Sequence, residues 1–302
     1  MPNVSRNGLP PVTSTPSTSN TTPTTPATNG SPTNTTQPAW TPATRPGERP
    51  AGPSMLNARF ANDAQLGQVL GGGTITNGAK GEGIKKLQQA MIDMGFAVPN
   101  SADGAFGPQS AKAIKNFQVN ASKMFPDVKP TGVVDAATLR ALDQLAPQPG
   151  QQGQSKNVPS PFYDGKPVRV VVLKDEHRTF LFDKQGKLEK ILQNAVGAKA
   201  TSTDEGFKKV TTKLDERASL EVGQRLWGGP VFGPRILDLS WADGSRSGEE
   251  LHGTSSPKQL GEDVSHGCVR HSNEDIVKLY DALSVGDHVA IVSGLKDPHL
   301  RR

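Results

Sequence analysis

Residues 252–292 read HGTSSPKQLGEDVSHGCVR and then HSNEDIVKLYDALSVGDHVAIV. The first part is a loop that gathers the chain's one cysteine, Cys268, two histidines, His252 and His266, and Arg270 within 19 residues. The second part turns to regular structure. Asn273–Leu283 places Ile276, Leu279, Tyr280 and Leu283 on one helical face, and His288–Val292 is a β-branched strand pattern. A free thiol has a pKa near 8.5, so only a few per cent of it is thiolate at neutral pH. A histidine within hydrogen-bond reach raises that fraction by taking the proton. His252 and His266 both qualify on spacing alone. Gly267, just before the thiol, lets backbone N–H groups approach a developing oxyanion. A lone cysteine can equally be a small buried hydrophobe. Zinc held by His252, His266, Cys268 and His271 would need four ligands on one short loop without CxxC or HExxH spacing, and no metal site is read there.

Upstream of this loop the signals are those of strands. Val168–Leu173 (VRVVVL) is β-branched, Phe180 and Phe182 alternate with their neighbours, KQG supplies a turn before Leu188–Val196, and Ile236–Trp241 (ILDLSW) is a further strand. The domain at 162–294 is therefore mostly β with a late helix. A Pro/Gln/Gly/Ser-rich stretch, 147–161, reads as a flexible linker, and 295–302 as a short C-terminal tail. Before the linker, 62–146 reads as a small three-helix bundle. Ile84, Leu87, Met91 and Met94 lie three or four apart; Ala111, Ile114, Phe117 and Ala121 form a second face behind Pro108; Asp135 caps a third helix carrying Leu139, Leu142 and Leu145.

The 302 residues are only 33% hydrophobic, because the first 61 are compositionally different. No charge occurs between Arg6 and Arg45, and 28 of the 35 residues from Pro10 to Thr44 are Pro, Ser, Thr or Asn, so 1–61 is expected to be a disordered tail. The net charge of +5 is spread without a block of five like charges, which argues against a nucleic-acid partner. One cysteine excludes an intramolecular disulfide. No 18-residue apolar run marks a membrane span, and MPNVSRNGLPPVTSTP lacks the apolar core of a secretory signal.

The loop resembles the signature of the L,D-transpeptidases, a bacterial family that crosslinks the cell wall. His252-Gly253-Thr254, Leu260-Gly261 and Ser265-His266-Gly267-Cys268-Val269-Arg270 fall in that family's order, and the helix and strand that follow resemble its closing elements. The resemblance implies a β-sandwich-like catalytic domain and a cysteine-dependent acyltransferase. Cys268 would be the nucleophile and His252 the general base and then acid, with its imidazole oriented by the Gly253 carbonyl. His266 and Gly267, with the Cys268 backbone, would frame an oxyanion pocket, and Ser265 and Arg270 would support the loop or substrate. The implied reaction forms 3→3 crosslinks through a thioester and releases D-Ala from tetrapeptide stems, with no cofactor. An L,D-carboxypeptidase or D-amino-acid exchange enzyme, or a non-catalytic wall-binding protein, are the alternatives.

Three departures stand out. Ala200–Leu214 lacks the family's Thr-Pro-x-Gly-x-Phe stretch, Glu250-Leu251 replaces Gly-Ile, and His271 stands where Met is common. The helical segment resembles the three-helix peptidoglycan-binding domain through Gly81–Gln88, Gly95-Phe96, Asp103–Pro108, Ala113-Ile114, Phe117-Gln118, Thr131–Asp135 and Thr138-Leu139. The implied partners are peptidoglycan stem peptides and glycan. The implied location is the cell envelope, the periplasm or outside the cell, reached by a route the sequence does not display.

Overall fold

The computed structural model describes residues 55–96, 102–151 and 157–301. The expected disordered tract at 1–54 lies outside the described residues. The last part of the expected tail, 55–61, is structured. Phe60 is fully buried in the helical core and Met55 packs beside it. The backbone N–H groups of Leu56 and Asn57 donate to the Asp143 carboxylate at 2.9 and 2.8 Å.

Among the described residues, the helical domain holds four helices: α1 (Ala64–Leu70), α2 (Glu82–Asp93), α3 (Pro108–Ala121) and α4 (Ala136–Leu145). The last three are those expected. The extra one, α1, is seven residues long and buries only Leu66 and Val69. Two buried glutamines reveal an internal repeat. Gln88 on α2 donates to the Ala105 carbonyl and to Ser110 Oγ, and accepts from Gly104 N–H. Gln118 on α3 donates to the Val133 carbonyl and to Thr138 Oγ1, and accepts from Gly132 N–H. Gly104 and Gly132 hold φ of 76° and 78°, a left-handed turn that glycine adopts without a Cβ penalty. Each glutamine thus satisfies the backbone of the loop leading into the next helix.

The β domain contains β1 (Phe162–Tyr163), β2 (Lys166–Pro167), β3 (Val170–Leu173), β4 (Arg178–Phe182), β5 (Leu188–Gln193), β6 (Val196–Gly197) and β7 (Gly206–Leu214), then helix α5 (Glu216–Trp227). It continues through β8 (Ile236–Trp241), β9 (Arg246–His252), β10 (Asp263–Ser265), β11 (Val269–Arg270), helix α6 (Asn273–Ala282) and β12 (His288–Val292). Eight strands form a mixed sheet in the order β11-β9-β8-β7-β12-β3-β4-β5. Val170, Val172, Val289 and Ile291 face one side, in a core shared with Ile276 and Leu279 of α6. Val171, Leu173, Ala290 and Val292 face the other, with Phe180 and Phe182. Strands buried on both faces read as unbroken apolar runs, as VVVL and HVAIV do. The expected C-terminal tail also docks: Leu295 and Leu300 join the second core, and the Asp164 and Gly165 N–H groups donate to the His299 and Arg301 carbonyls.

The two domains are packed together, where 147–161 was expected to be a flexible connection. Residues 152–156 lie outside the described residues, but Asn157 is buried and donates to Asn120 Oδ1. Arg178 of β4 is fully buried between the domains. It pairs with Glu176 at 2.5 Å, donates to the Met94 and Asn157 carbonyls, and lies 4.6 Å from the Phe96 ring centroid. Burial alone would push the Glu176 carboxyl up, yet Arg178 and Lys123 hold it below its usual range. Nearby, α3 grips the loop between His252 and Cys268. Lys112 reaches the Lys258 carbonyl at 2.6 Å and Glu262 at 2.5 Å, and Asn116 donates to the Gly261 carbonyl.

A buried charge left without its partner costs about 3–5 kcal/mol, whereas replacing both partners by apolar residues is close to neutral. Arg178→Ala should therefore lower the unfolding free energy by about 3–5 kcal/mol in urea titrations, and Glu176→Leu/Arg178→Leu by much less. Equal losses in the two variants would contradict this account.

Candidate functional site

The site is built by one short parallel pairing, β11 against β9, with Val269 opposite Leu251 and Arg270 opposite His252. Side chains alternate along a strand. Leu251 and Val269 consequently enter the core beside α6. Glu250 and His252 on β9, and Cys268 and Arg270 on and just before β11, line a cleft of about 400 Å³. Ser265 and His266 form part of its rim, and the apolar wall opposite comes from Leu226 and Trp227 of α5 with Val231 and Phe232.

His252 is almost fully buried. Its Nδ1 lies 2.6 Å from the Gly253 carbonyl. A carbonyl can only accept, so Nδ1 carries the proton and Nε2 presents a lone pair. The Phe232 ring meets the imidazole edge-on at 4.8 Å. A Cβ on Gly253 would come within 2.5 Å of Asn273 Oδ1 and 3.1 Å of the Phe232 carbonyl, so a side chain there would displace the amide. That oxygen accepts from the Thr254 N–H at 2.9 Å and so pins the loop to the start of α6. Burial, reinforced by the charges of Arg270 and His271, pushes the His252 pKa down to about 3, although the Gly253 carbonyl opposes this.

Cys268 is partly exposed. Donor atoms of Cys268, His252 and Glu250 all lie within 4.8 Å of one another, and the sulfur is 3.9 Å from Glu250 Oε2. Burial, and then the Glu250 carboxylate, push the thiol up to about 12. Burial and the Asp238 carboxylate push Glu250 itself up to about 7. Thiol and imidazole are thus both uncharged at neutral pH. Ser265 Oγ donates to the Cys268 carbonyl at 2.5 Å and accepts from the Gly267 N–H at 3.1 Å, which braces the turn beneath the sulfur.

Proximity separates the two histidines. His252, on β9, brings a ring nitrogen within 4.8 Å of the sulfur, while His266, in the turn before β11, is exposed at the cleft rim and packs on Trp227 with ring centroids 5.3 Å apart. His271 alternates away from the cleft, fully buried, with Nε2 2.9 Å from Thr179 Oγ1. The four residues weighed for zinc are therefore not gathered around one point. A divalent cation would instead find three donors in Glu250, His252 and Cys268, and would need to displace the thiol proton. Arg270 reaches Gln259 of the loop at 3.2 Å. Reasoning from sequence did not find Asn273, Phe232 or Trp227. Phe232 lies in the Gly/Pro-rich GGPVFGPR at 228–235, a loop composition without a periodic pattern.

Residues 167–291 match the model of the YkuD family, the L,D-transpeptidase catalytic domain. Residues 80–142 match that of the family described as "Putative peptidoglycan binding domain". Among curated proteins, the "Putative L,D-transpeptidase YqjB" of Bacillus subtilis is 27% identical over 132 residues, which are 42% of this chain and 72% of that one. The "Putative L,D-transpeptidase YkuD" of Bacillus licheniformis is 29% identical over 128 residues, 42% of this chain and 67% of the other. Among solved structures, an L,D-transpeptidase from Xylanimonas cellulosilytica aligns with 72% of this chain and 97% of its own, at 22% identity and a TM-score of 0.44.

Only the thiolate alkylates, and a pKa raised from 9.0 to about 12 leaves roughly 10³-fold less of it at neutral pH. Iodoacetamide should therefore modify Cys268 about 10³-fold more slowly than a free cysteine at pH 7. Because the shift is upward, the rate should still be climbing at pH 10, where a free thiol has levelled. A plateau below pH 9, followed by intact mass, would contradict the assigned environment.

Proposed function

We propose that this chain, in which residues 167–291 are an L,D-transpeptidase catalytic domain and residues 80–142 a peptidoglycan-binding domain, crosslinks peptidoglycan stems through a thioester on Cys268. The observation that carries the reading is the cleft-facing sulfur within 4.8 Å of a His252 ring nitrogen, with Nδ1 fixed on the Gly253 carbonyl. Hydrogen bonds of this kind are often long before substrate binds and tighten in the complex.

In the proposed first half-reaction, Sγ attacks the carbonyl of the third stem residue while its proton passes to His252 Nε2. The tetrahedral oxyanion is met by the Cys268 N–H, since the Gly267 N–H is already held by Ser265 Oγ. Collapse expels the terminal D-Ala, whose amine takes the proton from His252, and a thioester remains. An amine of a second stem then attacks the thioester. His252 removes the proton from nitrogen and returns it to sulfur, giving the 3→3 link and the free thiol. Because thiol and imidazole rest uncharged in a buried site, charge is created only as the substrate carbonyl arrives. Arg270 and the apolar wall of Trp227 and Phe232 would hold the donor stem. The helical domain would supply the polymer contact, raising the local concentration of stems. Such a substrate places the protein's work in the cell envelope or beyond it. Among the described residues, no helix is long and apolar enough to cross a membrane.

Mass spectrometry of a soluble tetrapeptide incubated with the protein should show a crosslinked dimer minus D-Ala and a transient acyl adduct on the protein. A trimmed monomer alone would mark a carboxypeptidase, and an unchanged tetrapeptide would overturn the enzymatic reading. Cys268→Ala should abolish the adduct. His252→Ala should lower turnover by ~10²–10⁴-fold, the range of general acid–base catalysis, and His271→Ala far less.

A further inference from the structure

Glu250 stands where two depressions meet. It lines the thiol cleft, and it also lines a neighbouring recess of about 330 Å³ whose walls include Asp238, Thr211, Ser240, Arg246 and Glu249. The thiol cleft is walled by Leu226, Trp227, Val231 and Phe232, whereas the recess is mostly polar. Register explains the position. Glu250 sits opposite Asp238 on β8, and one step before the Leu251–Val269 pair on β9, so its carboxylate lies beside the sulfur. The charged and titratable groups around it are Asp238 from β8, Arg246, Glu249 and His252 from its own strand, Cys268 just before β11, and Arg270 on it.

The second half-reaction poses a proton problem that His252 does not solve alone. An alkylamine is an ammonium ion at neutral pH and has no lone pair, so it must lose one proton before it attacks. It loses a second once the C–N bond has formed. His252 handles the second, because that proton must end on sulfur. We propose that Glu250 handles the first: it receives the acceptor's ammonium from the polar recess and takes one proton, so that a neutral amine attacks the thioester. This inference rests on the thioester reading above.

The atoms balance. The ammonium and the Glu250 carboxylate become amine and carboxylic acid. The amine nitrogen bonds to the acyl carbon, and the C–S bond breaks. The nitrogen's second proton travels through His252 to sulfur, and the Glu250 proton leaves to solvent. Magnitudes favour this residue over an ordinary glutamate. A carboxyl at 4.5 lies about six units below an alkylammonium near 10.4, whereas one pushed up to about 7 lies only about three below. Geometry supports the same role, with Oε2 3.9 Å from the atom that carries the acyl group.

The test uses the full chain, acylated by a soluble tetrapeptide at pH 7. Two acceptors compete with water for the acyl-enzyme: Nα-acetyl-lysine, whose side-chain amine is an ammonium ion, and hydroxylamine, which is uncharged. Partition between amine and water is read by mass spectrometry and does not depend on how fast acylation occurs. In Glu250→Gln, partition to Nα-acetyl-lysine should fall ~10²-fold or more, while partition to hydroxylamine changes by less than ~3-fold. Glu250→Asp should recover part of the loss. Equal falls for both acceptors, or a fall for neither, would overturn the proposal. So would a Glu250→Gln protein that never acylates, because acylation is assigned to Cys268 and His252. A wild-type protein that never acylates would instead remove the thioester reading itself, and intact mass distinguishes the two failures.

Discussion

Two residue pairs, Val269 with Leu251 and Arg270 with His252, fix where the sulfur lies. Burying Leu251 and Val269 beside α6 contributes about 1.5–3 kcal/mol each, and only one register allows both. A slip by one residue would turn each buried side chain outward and each cleft-facing one inward. The core therefore specifies the site: the stability of two apolar side chains holds Glu250, His252, Cys268 and Arg270 on one wall. Asn273 completes the arrangement from the far side, since its Oδ1 fills the space that a side chain on Gly253 would need.

The electrostatics follow from that packing. A buried imidazole beside Arg270 stays neutral, and a thiol beside Glu250 stays protonated. Many thiol enzymes rest as a thiolate facing an imidazolium, which keeps the nucleophile permanently charged. Here the low-dielectric setting disfavours both charges, and in the proposed reaction the proton would move only when a carbonyl is available to take the electrons. Under that reading, reactivity toward small electrophiles would be separated from reactivity toward substrate.

Much of the architecture was legible in the sequence where one physical rule dominated. Ile236–Trp241 and His288–Val292 appear as strands at the expected residues, and Asn273–Ala282 as a helix one residue shorter than expected, because their apolar patterns match a single period. Strand β7 escaped notice because it carries lysines. Lys208 is fully buried against Glu249 and the Trp241 ring, a pairing between distant residues that no local pattern announces. Helix α5 escaped because the residues it buries are Ser219 and Gly223, whereas Leu220, Leu226 and Trp227 remain exposed. In the site, Cys268 and the two candidate histidines were visible from spacing. The choice between the histidines was not, since it depends on which ring the fold brings within reach of the sulfur. Glu250 was visible as a departure from the family pattern, but its distance from the sulfur is a property of register.

The contacts of Lys112 and Asn116 with the loop at 258–262, together with the buried Arg178, make the two domains a single piece of machinery. A catalytic unit on a loose leash would sweep a volume governed by chain statistics, and its reach would widen slowly with leash length. This molecule has a fixed stand-off between its helical face and its sulfur, set by folded protein. Under the proposed function it would work as a caliper does: strands spaced to match that gap would be served, and those spaced otherwise passed over.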